Sequence, residues 1–84
     1  MDRTVIEKNS RESIVVSETE YKGNKYVDVR VFYKDGPEKT LKPTRKGVSI
    51  RPEQVAELVA ALTAFKQIFD ESVELVSFNL GKGG

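Results

Sequence analysis

The chain has 84 residues, which suits a single small domain. It contains neither cysteine nor histidine, so disulfides, the usual zinc and haem ligands, and a cysteine or histidine nucleophile or base are excluded. No apolar run is long enough to span a membrane, and residues 1–13 lack the apolar core of a signal peptide. The composition therefore indicates a non-enzymatic protein of a reducing intracellular compartment, with no membrane partner and no cofactor.

The first part of the chain predicts a flexible arm and two strands. Residues 1–11 are polar and irregular, which is typical of a mobile terminus. Residues 12–21 are rich in β-branched side chains and predict a strand, and the sequence Lys-Gly-Asn at 22–24 predicts a turn. In residues 25–33 valine recurs at every second position, which predicts a strand with two different faces.

Residues 39–50 predict two short strands or one broken strand. They follow a turn at 34–38, where Asp-Gly precedes proline. Pro43 cannot donate a hydrogen bond to a strand ladder, so it favours an edge or a break. Gly47 favours a bend or a bulge before the alternating residues that follow it.

After residue 51 the apolar period changes from two residues to three and four. Pro52 and Glu53 suit the first turn of a helix, and an apolar stripe continues to about residue 69. Residues 71–84 form a tail of unknown role, which the pattern leaves open as a strand, a helix extension or a docking segment. The apolar stripe consists of Val55, Leu58, Val59, Leu62, Phe65 and Phe69.

This order of elements predicts an α+β fold class. We expect a four-stranded antiparallel sheet followed by one α-helix (β-β-β-β-α), in one domain over residues 12–70. Such a small domain has a thin core and lacks disulfide and metal cross-links. The apolar stripe can cover its own sheet, a second copy of the chain, or both. We therefore expect a homodimer with the helices at the interface.

Charge is distributed unevenly along the chain. Residues 21–51 contain nine cations and three acids, a balance of +6, and since the whole chain carries +1 the remainder carries −5. Segregation of this kind favours a polyanion-binding surface. A solvated sheet surface protected by lysines is the alternative, because small β domains often carry one.

The motif KPTRKGVSIRPEQ occupies residues 42–54, after YKG at 21–23 and VDVR at 27–30. In this order the segments resemble the single-stranded-DNA-binding domain of the positive cofactor 4 family of transcriptional coactivators. The resemblance covers roughly residues 12–69, and its most specific part is the run from lysine 42 to glutamine 54. Thr44 stands where that family has a small or flexible residue.

The resemblance implies a helix-paired dimer that binds single-stranded or melted DNA in its sheet grooves, with little sequence preference. Eukaryotic members assist transcription, and bacterial and phage relatives are linked to replication, recombination and repair, so proteins of those processes are candidate partners. The serine-rich acidic region of eukaryotic members is missing, which favours a prokaryotic or phage member. We expect it in the cytoplasm of a bacterial or phage-infected cell; a eukaryotic member would be nuclear.

The resemblance also implies a set of DNA contacts. The rings of Tyr21 and Tyr33 would stack on bases, and the cations would meet phosphates. Regular pleating puts Arg30 and Tyr33 on opposite faces of one strand. The expected DNA-binding residues are Tyr21, Lys22, Lys25, Arg30, Tyr33, Lys42, Pro43, Arg45, Lys46 and Gly47.

Two other functions stay open at the level of sequence. An RNA-binding module would use the same stacking and phosphate contacts, since nothing in the sequence selects against a 2′-hydroxyl. A protein-interaction adaptor would act through the helix or the tail at 71–84. Enzymatic activity is not expected, because the carboxylates are scattered and the GKGG at 81–84 lacks the spacing of a phosphate-binding loop.

Overall fold

The computed structural model describes the backbone of residues 3–83 and the side chains of residues 3–72. Its four strands form one antiparallel sheet in which they lie in chain order, and one helix follows. The predicted α+β fold class is therefore confirmed. The elements are β1 (Arg3–Glu7), β2 (Glu12–Tyr21), β3 (Asn24–Asp35), β4 (Thr40–Ile50) and α1 (Pro52–Gly83).

The first strand lies in the segment that the sequence predicts to be a flexible arm. That prediction is wrong for residues 3–7, which pair with β2, Val5 opposite Val15 and Ile6 opposite Ile14. The carboxylate of Glu7 also forms a salt bridge with Lys34 of β3. A short β-branched run flanked by charges gives a weak strand signal on its own, and tertiary pairing decides its structure.

Residues 40–50 form one strand, β4, that is interrupted once. Arg30 pairs with Gly47 and Phe32 pairs with Pro43, so residues 44–46 lie opposite the single residue Val31. We call residues 44–46 the β4 bulge. Pro43 and Gly47 bound it, in agreement with the break and the bend that the sequence predicts.

A two-residue turn joins β2 to β3. Lys22 and Gly23 both have positive φ angles, 52° and 80°, and Tyr21 pairs with Asn24. Two successive residues of positive φ match the right-handed twist of a hairpin, as in a type I′ turn. The turn holds Tyr21 and Lys22 at the tip of this hairpin.

The sheet has two chemically different faces, which follow from the pairing register. Paired residues share a face, so Val27, Val29 and Val31 lie with Val48 and Ile50; we call this the valine face. Arg30 lies on the other, which we call the arginine face. Val48, Ile50 and Leu58 line one groove between β4 and the start of α1, so the helix begins over the valine face.

Helix α1 begins with a cap made by Arg51, the residue before it, and Gln54 in its first turn. The Arg51 backbone N–H donates to Oε1 of Gln54 at 3.1 Å, and the Gln54 N–H donates to the Arg51 carbonyl at 2.8 Å. Pro52, which has no N–H, occupies the first helical position. The helix continues past residue 69, so most of the predicted tail at 71–84 is a helix extension; residue 84 lies outside the described residues.

Most of the apolar stripe of α1 is not covered by the chain's own sheet. Val55 is half-buried, but the rest of the stripe is exposed, with Leu62 at 59% and Phe65 at 56%. Within residues 3–72, Val15 is the one buried apolar side chain. The helix that the structure describes has no segment apolar and long enough to cross a membrane. The single chain thus leaves a large apolar surface in water.

Candidate nucleic-acid interface

The hairpin tip presents an aromatic ring together with two cations. Tyr21 ends β2 with 64% of its surface exposed, and Lys22 Nζ lies 5.3 Å from the centre of its ring. Lys25, at the start of β3, is exposed and pairs with Glu20, which puts it on the opposite face of the sheet from Tyr21. An exposed ring beside a flexible ammonium group can stack on a base while the cation contacts an adjoining phosphate.

Arg30 lies on the arginine face and is held by bonds within the protein. Its Nε and Nη2 donate to the two carboxylate oxygens of Asp28, each at 3.0 Å, and its Nη1 donates to the carbonyl of Thr44 at 3.0 Å. The hydrogen bond with Asp28 raises the pKa of Arg30 above its ordinary value. Since guanidinium has five N–H donors, two remain for another partner.

The β4 bulge presents two exposed cations on a fixed backbone. Thr44 is half-buried, whereas Arg45 and Lys46 are exposed. The Thr44 hydroxyl donates to the carbonyl of Val31 at 2.7 Å and accepts from the Lys46 backbone N–H at 3.1 Å. Adjacent cations on a short, hydrogen-bonded loop suit the phosphates of a nucleic-acid backbone.

Gly47 is required by the close passage of Arg30. A Cβ at position 47 would lie 2.8 Å from Arg30 Cζ and 2.9 Å from Val29 O, which is closer than such atoms approach. Gly47→Ala should therefore displace Arg30 and lower stability by about 1–3 kcal/mol in urea unfolding. In a double-mutant cycle, the same change should cost less in an Arg30→Ala background. Full additivity would contradict this packing account.

Tyr33 and Lys42 lie opposite each other on the valine face, near the far end of β3 and β4. Tyr33 is 40% exposed, and Lys42 Nζ lies 3.0 Å from Oδ2 of Asp35. The hydrogen bond with Asp35 raises the pKa of Lys42 above its ordinary value, and Lys42 is cationic at neutral pH. A phosphate bound at Lys42 would either displace the Asp35 carboxylate from the lysine or share the lysine with it.

The structure thus distributes the expected contacts over both faces of the sheet, the turn and the bulge. Tyr21 and Arg30 line one groove on the arginine face, which Tyr26, Asp28 and Ser49 also line. Tyr33 lines a separate groove with residues of the β1–β2 turn. By the register, the arginine face carries Tyr21, Arg30, Pro43 and Gly47. The valine face carries Lys25, Tyr33 and Lys42. The turn contains Lys22, and the bulge contains Arg45 and Lys46.

Two features of this surface have little signal in the sequence. Arg11 lines the groove beside Tyr33, and its carbonyl accepts the Lys34 backbone N–H at 2.8 Å. This proximity depends on the pairing of Glu12 with Tyr33, which the sequence alone does not specify. Thr44 looks like an ordinary strand residue until the bulge places its hydroxyl between two backbone groups.

Comparison with known proteins identifies the family. The model of the family described as Transcriptional Coactivator p15 (PC4) matches residues 8–61, which include the hairpin tip, the β4 bulge and the start of α1. The chain belongs to the PC4 family. The matched residues end within α1, so the rest of this helix in the PC4-family chain lies outside the family match.

Solved structures of PC4 homologues resemble this chain over most of its length. One from Burkholderia pseudomallei, in an orthorhombic crystal form, is 32% identical with a TM-score of 0.72, covering 79% of this chain and 88% of its own. The tetragonal crystal form of the same protein is 35% identical with a TM-score of 0.68, and the match covers 75% of this chain and 91% of that one. A bacteriophage T5 homologue, implicated in recombination-dependent DNA replication, is 28% identical with a TM-score of 0.55, covering 86% and 82%.

Proposed function

We propose that this PC4-family chain binds single-stranded DNA, or the melted strands of a duplex, with little sequence preference. The observation that carries the proposal is the exposed ring of Tyr21, with Lys22 against it and Arg30 in the same groove. A ring flanked by cations recognises any base by stacking and any backbone by charge. Both features favour a flexible single strand, whose bases are free to stack, over a closed duplex.

The phosphate contacts are assigned to exposed cations at the hairpin tip, on β4 and in its bulge. Lys22, Lys25, Arg45 and Lys46 are exposed on the turn, β3 and the bulge, and Lys42 is half-exposed beside Asp35. Arg30 supplies its two remaining donors from the groove, and the backbone at Pro43 and Gly47 lets the strand approach the bulge. On the side of Tyr33, Arg11 is a further candidate cation that the sequence did not suggest.

Tyr21 should contribute through its ring and not through its hydroxyl. Tyr21→Ala is expected to weaken binding of a single-stranded oligonucleotide by roughly 5- to 150-fold, which is the loss of about 1–3 kcal/mol of stacking. The salt dependence should stay unchanged, because no phosphate contact is removed. Tyr21→Phe is the matched control and should bind as wild type in the same anisotropy titration. If Tyr21→Ala binds the oligonucleotide as tightly as wild type, the ring of Tyr21 is not part of the interface.

The binding species is proposed to be a homodimer joined through α1. The stripe formed by Leu58, Val59, Leu62, Phe65 and Phe69 is exposed in the single chain, and Val48 of the valine face is 56% exposed beside it. An apolar surface of this extent is stabilised by burial against a second copy, which has the same stripe. Two sheets per particle would provide two binding surfaces for one strand or two.

The proposed role is in transcription regulation or in DNA replication, recombination and repair. Family membership supports the first, and the bacteriophage T5 relative, by its implication in recombination-dependent replication, supports the second. In either case the protein would act where cellular DNA is, in the cytoplasm of a bacterium or a phage-infected bacterial cell. Polymerases or recombination factors are the corresponding candidate partners.

The direct test is an anisotropy titration of three labelled probes of one sequence: single-stranded DNA, its duplex, and single-stranded RNA. The proposal predicts tighter binding of single-stranded DNA than of duplex, with affinity that falls steeply as salt rises. Preferential binding of the RNA would make the chain an RNA-binding module. Absence of binding to all three probes at low salt would contradict the proposal and favour a protein adaptor.

A further inference from the structure

We infer that Thr44 is a positioning residue, whose hydroxyl holds the β4 bulge in the conformation that binds phosphate. The inference rests on the proposed function and deepens it, because it states how Arg45 and Lys46 are kept ready for a strand. Thr44 itself is half-buried, whereas Arg45 and Lys46 are exposed. Its role is therefore to order its neighbours, and contact with the DNA is left to the two cations.

The bulge removes a normal ladder partner from β3. Val31 faces residues 44–46 and has no paired residue on β4, although its neighbours Arg30 and Phe32 are both paired. A half-buried strand carbonyl is stabilised by a hydrogen-bond donor. The Thr44 hydroxyl donates to the Val31 oxygen at 2.7 Å. The side chain thus joins β4 to β3 at the point where the regular pairing is interrupted.

The same hydroxyl closes the other side of the bulge. It accepts the backbone N–H of Lys46 at 3.1 Å, so one oxygen connects β3 to the residue that presents a cation. The backbone of Thr44 is fixed as well, since its carbonyl accepts Arg30 Nη1 at 3.0 Å. Three hydrogen bonds through one residue leave the bulge few alternative conformations.

Ordering of this kind matters because a mobile loop must be fixed when a strand binds. A side chain or loop that is already held loses less conformational entropy on binding, which raises affinity without adding a contact. Glycine or alanine at position 44 would supply no hydroxyl for either bond. The threonine of this chain is therefore expected to give a more ordered phosphate-binding bulge.

The test compares Thr44→Val, which keeps the branched shape and removes the hydroxyl, with Thr44→Ser, which keeps the hydroxyl. In the free protein, NMR hydrogen exchange at the Lys46 amide should be roughly 3- to 10-fold faster in Thr44→Val, because that N–H loses its acceptor. Thr44→Ser should restore the slower exchange. Thr40→Val, the same change at an exposed position on the same strand, should leave the Lys46 amide unaffected.

DNA binding supplies the second readout. Thr44→Val should bind a single-stranded oligonucleotide roughly 3- to 10-fold more weakly with an unchanged salt slope, because the cations remain and only their order is lost. Thr44→Ser should rescue the affinity. Wild-type exchange and affinity in Thr44→Val, equal losses in both variants, or a flattened salt slope would each overturn the inference. If wild type itself does not bind the oligonucleotide, the proposed function fails, and the inference with it.

Discussion

Replacing Lys42, Arg45 and Lys46 together by alanine should weaken single-stranded DNA binding by roughly 100-fold or more. These three cations lie on β4 within five consecutive positions, and Arg45 and Lys46 are exposed on the bulge. Each phosphate contact of a single strand contributes about 0.7 to the slope of log affinity against log salt, so the variant should lose about 2 from that slope. Anisotropy titrations at several salt concentrations measure both quantities.

The control for this variant carries the same loss of charge elsewhere. Lys8→Ala, Lys39→Asn and Lys66→Ala remove three cations outside the proposed interface, and asparagine at 39 tolerates the positive φ of 56° found there. This control should lose far less affinity than the β4 variant. Equal losses in the two variants would mean that binding follows net charge alone and that β4 has no special part in it.

Leu62→Glu with Phe65→Glu should convert a dimer of the chain to a monomer. Both side chains lie on the exposed stripe of α1, 59% and 56% exposed in the single chain, and a dimer would bury four carboxylates per particle in this variant. Burying unpaired charge is strongly unfavourable, so the dimer dissociation constant should rise by roughly 100-fold or more. Sedimentation velocity distinguishes the 9.4 kDa chain from a particle of twice that mass.

The opposite side of the same helix provides the matched control. Ala60 and Gln67 lie roughly half a helical turn away from the centre of the stripe, and both are exposed. Ala60→Glu with Gln67→Glu should leave the dimer intact.

DNA binding by the monomeric variant, Leu62→Glu with Phe65→Glu, should also weaken, because two linked surfaces bind one strand more tightly than one surface does. A wild-type chain that sediments as a monomer at micromolar concentration would contradict the helix-paired model.

The elements with a clear periodicity are those that the sequence predicts well. The alternating valines of β3 and the three- and four-residue spacing in α1 each specify an element without reference to the rest of the chain. Strand β1 fails this test, because Thr4, Val5 and Ile6 are too few to show a period and become a strand only by pairing with β2. The helix also runs past residue 69, where its apolar pattern no longer separates a helix from a strand.

The composition of the candidate interface is predicted better than its geometry. The basic motif on β4 and the ring at the hairpin tip are visible as residue types, and the structure puts both on the exposed surface. The hydrogen bonds of Arg30 to Asp28 and to the Thr44 carbonyl are not predictable from residue types. They depend on where the bulge places Thr44 and on the space left by the missing Cβ of Gly47. A bulge opposite Val31 depends on register, which residue types in one strand do not determine.

An NMR titration of the isotope-labelled chain with an oligothymidine strand would locate the binding surface residue by residue. Backbone amide shifts should change most at residues 21–25 and 42–47, which contain the hairpin tip and the β4 bulge. The change should saturate with added strand and reverse with added salt, since phosphate contacts are screened. Shifts confined to β1 or to the exposed stripe of α1, or no shifts with excess strand at low salt, would contradict the proposed interface.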